Sequence, residues 1–290
     1  MSERPGTILK TKMKERRALL VPGAANALSA RIIADLGFEA LYITGAGVTN
    51  MYLGIPDLGF ISLPEIADHT SAIRDAVELP IIVDADTGFG NSLNVQHTVR
   101  VLERAGANCI QLEDQAMPKK CGHFAGKDII SAEEAASKIK AAVDARKNED
   151  FLILARTDAR AKDGFQAAVD RCHMFIVAGA DITFLEAPES VDEIRKIPEV
   201  LPIPQLVNMV IGGKTPIVPI EDLKKMKFAV VLYANAALQG AINGMQAALG
   251  ELKKSGKLDE KSPGVANFNE RQRLVQKPVF DALEKKYAVK

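Results

Sequence analysis

The stretch Ile81-Ile82-Val83-Asp84-Ala85-Asp86-Thr87-Gly88-Phe89-Gly90 passes from apolar, β-branched residues into two carboxylates and a glycine turn. Side chains alternate along a strand with period two, so Asp84 and Asp86 project to one side of the strand end and Ala85 to the other. Two carboxylates so placed can share one cation, but the same residues can also cap a helix or start a turn, and a lone D-x-D does not decide. A second apolar run, Cys109-Ile110-Gln111-Leu112, again ends in acids, Glu113 and Asp114, while Asp57 lies in a loop rich in Gly and Pro. Asp84, Asp86 and Glu113, with Asp57 as a further candidate, form an all-oxygen acidic set that suits Mg²⁺ or Mn²⁺ rather than zinc. Mg²⁺ retains several waters and takes few protein ligands, which leaves positions for a chelating 2-hydroxy or 2-keto acid. Arg156 and the backbone of Thr44, Gly45 and Ala46 can hold the carboxylates of such a substrate, and Glu186 and Asn208 complete a polar rim. Cys121 lies in Lys119-Lys120-Cys121-Gly122-His123, where neighbouring positive charge would favour a thiolate and proton transfer near neutral pH. A lone loop cysteine is more often a bystander.

The elements that must position these groups repeat. Strand-like runs are expected at 18–21 (stopped by Pro22-Gly23), 39–43, 81–84, 109–112, 151–155, 182–185, 205–207 and 228–232. Helical spacing is expected at 27–36, 63–77, 93–104, 132–146, 166–178 and 236–252. Eight strand-helix units predict a (β/α)8 TIM-type barrel of parallel strands, whose ligands sit at the carboxyl ends, where nearly all the polar residues above fall. An open doubly wound sheet is disfavoured because no Gly-x-Gly-x-x-Gly turn follows the first strand. Residues 1–252 are expected to be the catalytic barrel and 253–290 a polar linker with a helical arm, 267–287, kinked at Pro278.

At 290 residues, with 47% hydrophobic and 26% charged residues and a formal net charge of zero, the chain suits one α/β barrel with a tail. Nothing in that balance attracts nucleic acid or a membrane surface, and no apolar run approaches the roughly 18 residues needed to span a bilayer. The basic opening from Lys10 to Arg17 has no apolar segment behind it, so it reads as a solvated helix face rather than a secretory signal. Cys109, Cys121 and Cys172 are odd in number and widely spaced, which suits a reducing compartment; a cytoplasmic location is expected.

Taken in order, V-D-A-D-T-G-F-G, Q-L-E-D-Q, P-K-K-C-G-H and A-R-T-D-A closely resemble the isocitrate lyase and phosphoenolpyruvate mutase superfamily over nearly the whole chain, and K-K-C-G-H resembles its lyase branch. The resemblance implies Mg²⁺-dependent, retro-aldol cleavage of a small 2-hydroxy dicarboxylate. Cys121 would be the acid that protonates the departing carbanion, with Gly122 and His123 beside the substrate. Arg156, Glu186 and Asn208 would stabilise the enediolate-like charge. Asp57 or Tyr42 would take the hydroxyl proton; residue type does not choose between them. It also implies a homotetramer of paired subunits that exchange terminal helices, and a mobile loop around Cys121.

Departures from the family pattern bear on the substrate. Members that cleave 2-methylisocitrate place a hydroxyl and a carboxylate in the turn after the Asn and an Arg in the last barrel helix. Here Val210 and Gln239 stand at the matching positions, and neither pairs with an extra carboxylate. Cleavage of 2,3-dimethylmalate to pyruvate and propionate is therefore expected first, of 2-methylisocitrate (to pyruvate and succinate) second, and hydrolysis or decarboxylation of oxaloacetate third. Arg271 is a cation that could replace the missing one. A Schiff-base aldolase is disfavoured because no Lys occupies an expected strand end. A non-catalytic dicarboxylate-binding protein would not require Cys121 beside the acids.

Overall fold

Short runs rich in Val, Ile, Leu and Ala become parallel strands because both of their faces can be buried, one inside the barrel and one under helices. A computed structural model describes residues 3–120, 122 and 126–289. The first part comprises α1 (Pro5–Glu15), β1 (Leu19–Ala24), α2 (Ala27–Asp35), β2 (Leu41–Ile43), α3 (Gly45–Val48) and a π-helical turn at Thr49–Leu53. Then come α4 (Leu63–Ala76), β3 (Ile81–Asp84), α5 (Ser92–Arg104), β4 (Cys109–Glu113), α6 (Ala132–Ala145) and β5 (Leu152–Thr157). α7 (Arg160–Asp163), α8 (Phe165–Val177), β6 (Ile182–Leu185), α9 (Val191–Val200), β7 (Gln205–Asn208), α10 (Ile220–Lys225) and β8 (Val230–Tyr233) complete the barrel, followed by α11 (Ala236–Ser255), α12 (Phe268–Leu274) and α13 (Lys277–Tyr287). The strands close in sequence order, with β1 parallel to β8, as expected for the (β/α)8 class.

The period-two alternation is literal. Tyr42, Ile82, Cys109, Leu154, Ile182, Phe184, Leu206 and Leu232 pack together inside the barrel, whereas Leu41, Ile43, Ile81, Val83, Ile110 and Ile153 pack outward under the helices. Continued past the apolar segment, the inward phase brings Thr44, Asp84, Glu113, Arg156, Glu186 and Asn208 to the carboxyl ends, all lining one pocket. One strand phase thus supplies both the core and the site.

Four local expectations are corrected. Pro22-Gly23 does not stop β1, because Pro22 pairs with Tyr233 and Gly23 with Tyr42. A Cβ on Gly23 would lie 1.9 Å from the Ala234 carbonyl oxygen, so glycine is required by close approach of the chain after β8. Gly23→Ala is expected to cost ~1–3 kcal/mol, the usual range for overpacking; an unchanged urea midpoint would show that the β1–β8 junction yields. β5 runs on through Arg156-Thr157, held by Glu113 on one side and Phe184 and Leu185 on the other. The basic opening is not simply a solvated face, since Leu9 and Met13 of α1 are buried in the barrel cluster, while Thr7 and Lys10 bond Asp150 just before β5. The arm is two helices rather than one kinked helix: the break falls at Gln276, whose φ is 56°, and Pro278 sits in the first turn of α13, where its missing N–H costs little.

Among the described residues, no helix is long and apolar enough to cross a membrane. The last three helices bury no residue, leaving Ile242, Met245, Leu249 and Leu252 of α11 and Val279, Phe280 and Leu283 of α13 exposed.

Candidate active site

Asp84 closes β3, and the chain then turns so that Asp86 has a φ of 47°. The left-handed turn, rather than continued strand, carries Asp86 back: its N–H donates to Asp84 Oδ1 at 3.2 Å. A Cβ on Gly45 would lie 3.2 Å from Asp84 Oδ2 and 3.3 Å from Asp86 Oδ1, so both acids face one point, and a side chain on Gly45 would crowd them. The expected cradle of amides is partly committed already. Thr44 N–H donates to Ala24 O and Gly45 N–H to Asp84 Oδ2 (3.3 Å), although Thr44 and Ala46 both line the pocket.

Lys119 organises the acids, a role the sequence reading did not assign. It is 3% exposed, and its Nζ lies 2.6 Å from Asp57 Oδ1 and 2.7 Å from Asp86 Oδ1. Burial by itself would lower its pKa, but Asp86, Glu113, Asp84 and Asp57 outweigh that and hold the ammonium protonated. It is therefore not the neutral amine a Schiff-base aldolase needs. Lys119 faces the acids, and Lys120 Nζ donates to Gly126 O. A clue was available in two lysines following a strand that ends in acids. Cys121 and His123 lie outside the described residues.

Asp86 is pushed up to about 7, first by burial and then by Asp84 and Asp57, against the pull of Lys119. Glu113 is also raised, mainly by burial and against the pull of Arg156; its Oε1 is buried with no hydrogen-bond partner. The orphaned buried oxygen of Glu113 beside an all-oxygen acidic set fits a hard divalent cation. Among the described residues no three acids converge at metal-ligand spacing, with the Lys119 ammonium standing between Asp57 and Asp86. Binding of Mg²⁺ would require Asp86 deprotonated, so affinity is expected to weaken about tenfold between pH 8 and pH 6, one decade per unit below the pKa. Isothermal titration calorimetry checks this; a flat profile would remove Asp86 from the ligand set.

Opposite the acids, Arg156 lies 3.2 Å from Glu113 Oε2 and 3.5 Å from Glu186 Oε2, forks onto Asp158 (2.9 and 3.1 Å), and sits over the Phe184 ring. Burial would lower its pKa, but Asp158, Glu113 and Glu186 raise it, so its charge is secure. Asp158 was passed over, although it follows Arg156 at the same two-residue spacing that singled out Asp84 and Asp86. Tyr42 donates its hydroxyl to Gln111 Oε1 (2.8 Å), and Gln111 Nε2 donates to Asp84 Oδ1 (3.1 Å). Burial, and next Asp84, push the Tyr42 phenol well up, which makes it a poor base. Asn208 Oδ1 is buried without a partner at the pocket wall, beside Val210, Leu232 and Ala234. Asn235, also missed, lines the pocket and accepts the Thr44 hydroxyl at 3.4 Å. Gly122 is packed tightly, a Cβ there falling 2.3 Å from Arg156 Nη2 and 2.8 Å from Glu186 Cγ.

Gln239 does not join this group. It is exposed on α11 and absent from the pocket wall. Arg271 stacks on Phe268 in the arm and does not replace the missing cation within the chain.

The family model described as phosphoenolpyruvate phosphomutase matches residues 9–253. A 2,3-dimethylmalate lyase of Eubacterium barkeri is 46% identical over 238 residues, 81% of this chain and 82% of that protein. A 2-methylisocitrate lyase of Aeropyrum pernix is 45% identical over 254 residues, 88% of this chain and 82% of that one. The trigonal crystal structure of a 2,3-dimethylmalate lyase superposes with a TM-score of 0.92 at 31% identity, covering 99% of this chain and 96% of the other. Likeness of this extent in sequence and in fold, centred on the barrel whose rim carries the acids and Arg156, makes the chain a member of the phosphoenolpyruvate mutase/isocitrate lyase superfamily.

Proposed function

We propose that the protein is an Mg²⁺-dependent carbon–carbon lyase that cleaves 2,3-dimethylmalate to pyruvate and propionate. The observation that carries the substrate choice is the pocket wall beyond Asn208, made of Val210, Leu232 and Ala234, which suits a methyl group and offers no charge to a third carboxylate. Cleavage of 2-methylisocitrate is the second reading, favoured by the 45% identical relative of that name.

Asp84, Asp86 and Glu113 would hold the Mg²⁺ ion, which when bound supplies Lewis-acid polarisation of the substrate's oxygens. Asp57 takes the hydroxyl proton, since burial keeps the Tyr42 phenol protonated. The C2–O⁻ electrons form the carbonyl of pyruvate, and the C2–C3 pair moves onto C3 and its carboxylate. Arg156 and the Asn208 amide stabilise that charge; Glu186, an acid beside Arg156, acts by holding the guanidinium rather than by facing the anion. The Cys121 thiol then protonates C3 to give propionate.

The catalytic unit in this reading is the barrel, 1–252, and the arm, 253–290, is covered by a second copy in a homotetramer. The exposed apolar faces of α11 and α13 support this. Sedimentation equilibrium tests the assembly, a monomer refuting it. Steady-state kinetics test the substrate: faster turnover of 2-methylisocitrate than of 2,3-dimethylmalate at matched concentrations overturns the first choice. Cys121→Ser is expected to lower kcat about tenfold or more, and full activity would remove its role as acid.

A further inference from the structure

One carboxylate holds two separate parts of the barrel mouth. Asp158 is 1% exposed and follows β5 by one residue; its oxygens take Arg156 Nε at 2.9 Å and Nη2 at 3.1 Å in a fork that fixes the plane of the guanidinium. Its Oδ1 also accepts Lys127 Nζ at 2.5 Å, and the same ammonium donates to the carbonyl oxygen of Gly122. The Lys127 side chain is only 4% exposed. From behind, Asp114 accepts the Asp158 N–H (2.9 Å) and the Thr157 hydroxyl (2.6 Å), and Arg171 pairs with Asp114 at 3.2 Å. Burial would raise the Asp158 pKa, but Arg156 and Lys127 bring it below the ordinary carboxylate range. Lys127 and Asp158 do not line the pocket, whereas Arg156 and Gly122 do.

We propose that Lys127 and Asp158 are a positioning pair: Asp158 sets the Arg156 guanidinium and Lys127 pins the Gly122 backbone to the same anion, so cation and backbone keep one relative placement in the reaction. The proposal rests on the lyase reading for its kinetic readout and on anion binding otherwise. A misplacement of about 1 Å can cost about 10²-fold in rate, so Lys127→Met is expected to lower kcat about a hundredfold while KM changes less than about threefold. Lys127→Gln, which keeps a donor for Gly122, should recover part of the loss, and it stands in where Lys127→Met does not fold. Residues that act as one unit are non-additive. In an Arg156→Lys background, Lys127→Met should therefore lower kcat by no more than about threefold. An unchanged kcat in Lys127→Met, or an undiminished loss in that background, overturns the proposal. Calorimetry with oxalate and Mg²⁺ separates this from the functional reading. If the wild type cleaves no 2-hydroxy dicarboxylate, the lyase reading fails; tenfold weaker oxalate binding by Lys127→Met then still supports the pair, and equal binding refutes it. A wild type that neither cleaves such an acid nor binds oxalate overturns both.

Discussion

Arg156→Met is expected to lower kcat for carbon–carbon cleavage by about 10²–10³-fold, the cost of removing one preorganised donor aimed at developing negative charge. It should also destabilise the fold by ~3–5 kcal/mol, because one partner of a buried ionic cluster disappears. Arg156 is 8% exposed and its guanidinium faces Asp158, Glu113 and Glu186, so its loss leaves buried carboxylates without their cation. Arg156→Lys separates the two effects. It restores a positive charge and with it much of the stability, but an ammonium cannot fork onto Asp158 while presenting a flat face to substrate, so kcat should stay low. Urea denaturation and steady-state kinetics on the two variants read the effects independently. An Arg156→Met protein as stable as wild type would mean that the surrounding acids are already protonated.

Lys119→Met is the second large effect. Removing the ammonium from between Asp57 and Asp86 should cost ~3–5 kcal/mol in metal-free protein above neutral pH. The sign with pH follows from linkage. The Asp86 carboxyl already has a folded pKa of about 7, far above its unfolded value, so its protonated form favours the fold, and that stabilisation is lost as pH rises through the folded pKa. Losing Lys119 raises the folded pKa further, so the variant's deficit should be greatest at alkaline pH and shrink as pH falls toward the unfolded pKa of an aspartate. Saturating Mg²⁺ should recover more stability in Lys119→Met than in wild type, since a divalent ion then supplies the missing charge. Thermal midpoints across pH, with and without Mg²⁺, check this, and a deficit independent of both would show that Lys119 acts only by packing.

Arg156 and Lys119 differ in how far the sequence announced them. Arg156 stood at the end of an apolar run with alternating burial, and the barrel rule then places such a residue at the mouth. The same rule was sufficient for Asp84, Glu113, Glu186 and Asn208, each one step beyond an inward-facing core residue. Lys119 stood beside Cys121 in a loop, and nothing in its sequence neighbours announced Asp57 and Asp86, which it meets in space. A helical position such as Gln239 carries no comparable rule, and it stands exposed on α11, outside the pocket wall.

What the sequence by itself determined is therefore the periodic part of the protein: eight strands, their inward phase, and the set of polar residues that this phase lifts to one rim. Only the tertiary structure decided which of those residues meet. It was the left-handed turn at Asp86, the Lys119 ammonium among the acids, and the sharing of Asp158 by Arg156 and Lys127 that could not be read from spacing. The reason is physical. Strand alternation is a local, steric property carried by each residue's neighbours, whereas the partner of a buried charge is chosen by the lowest electrostatic cost over the whole closed barrel, among groups far apart in the chain.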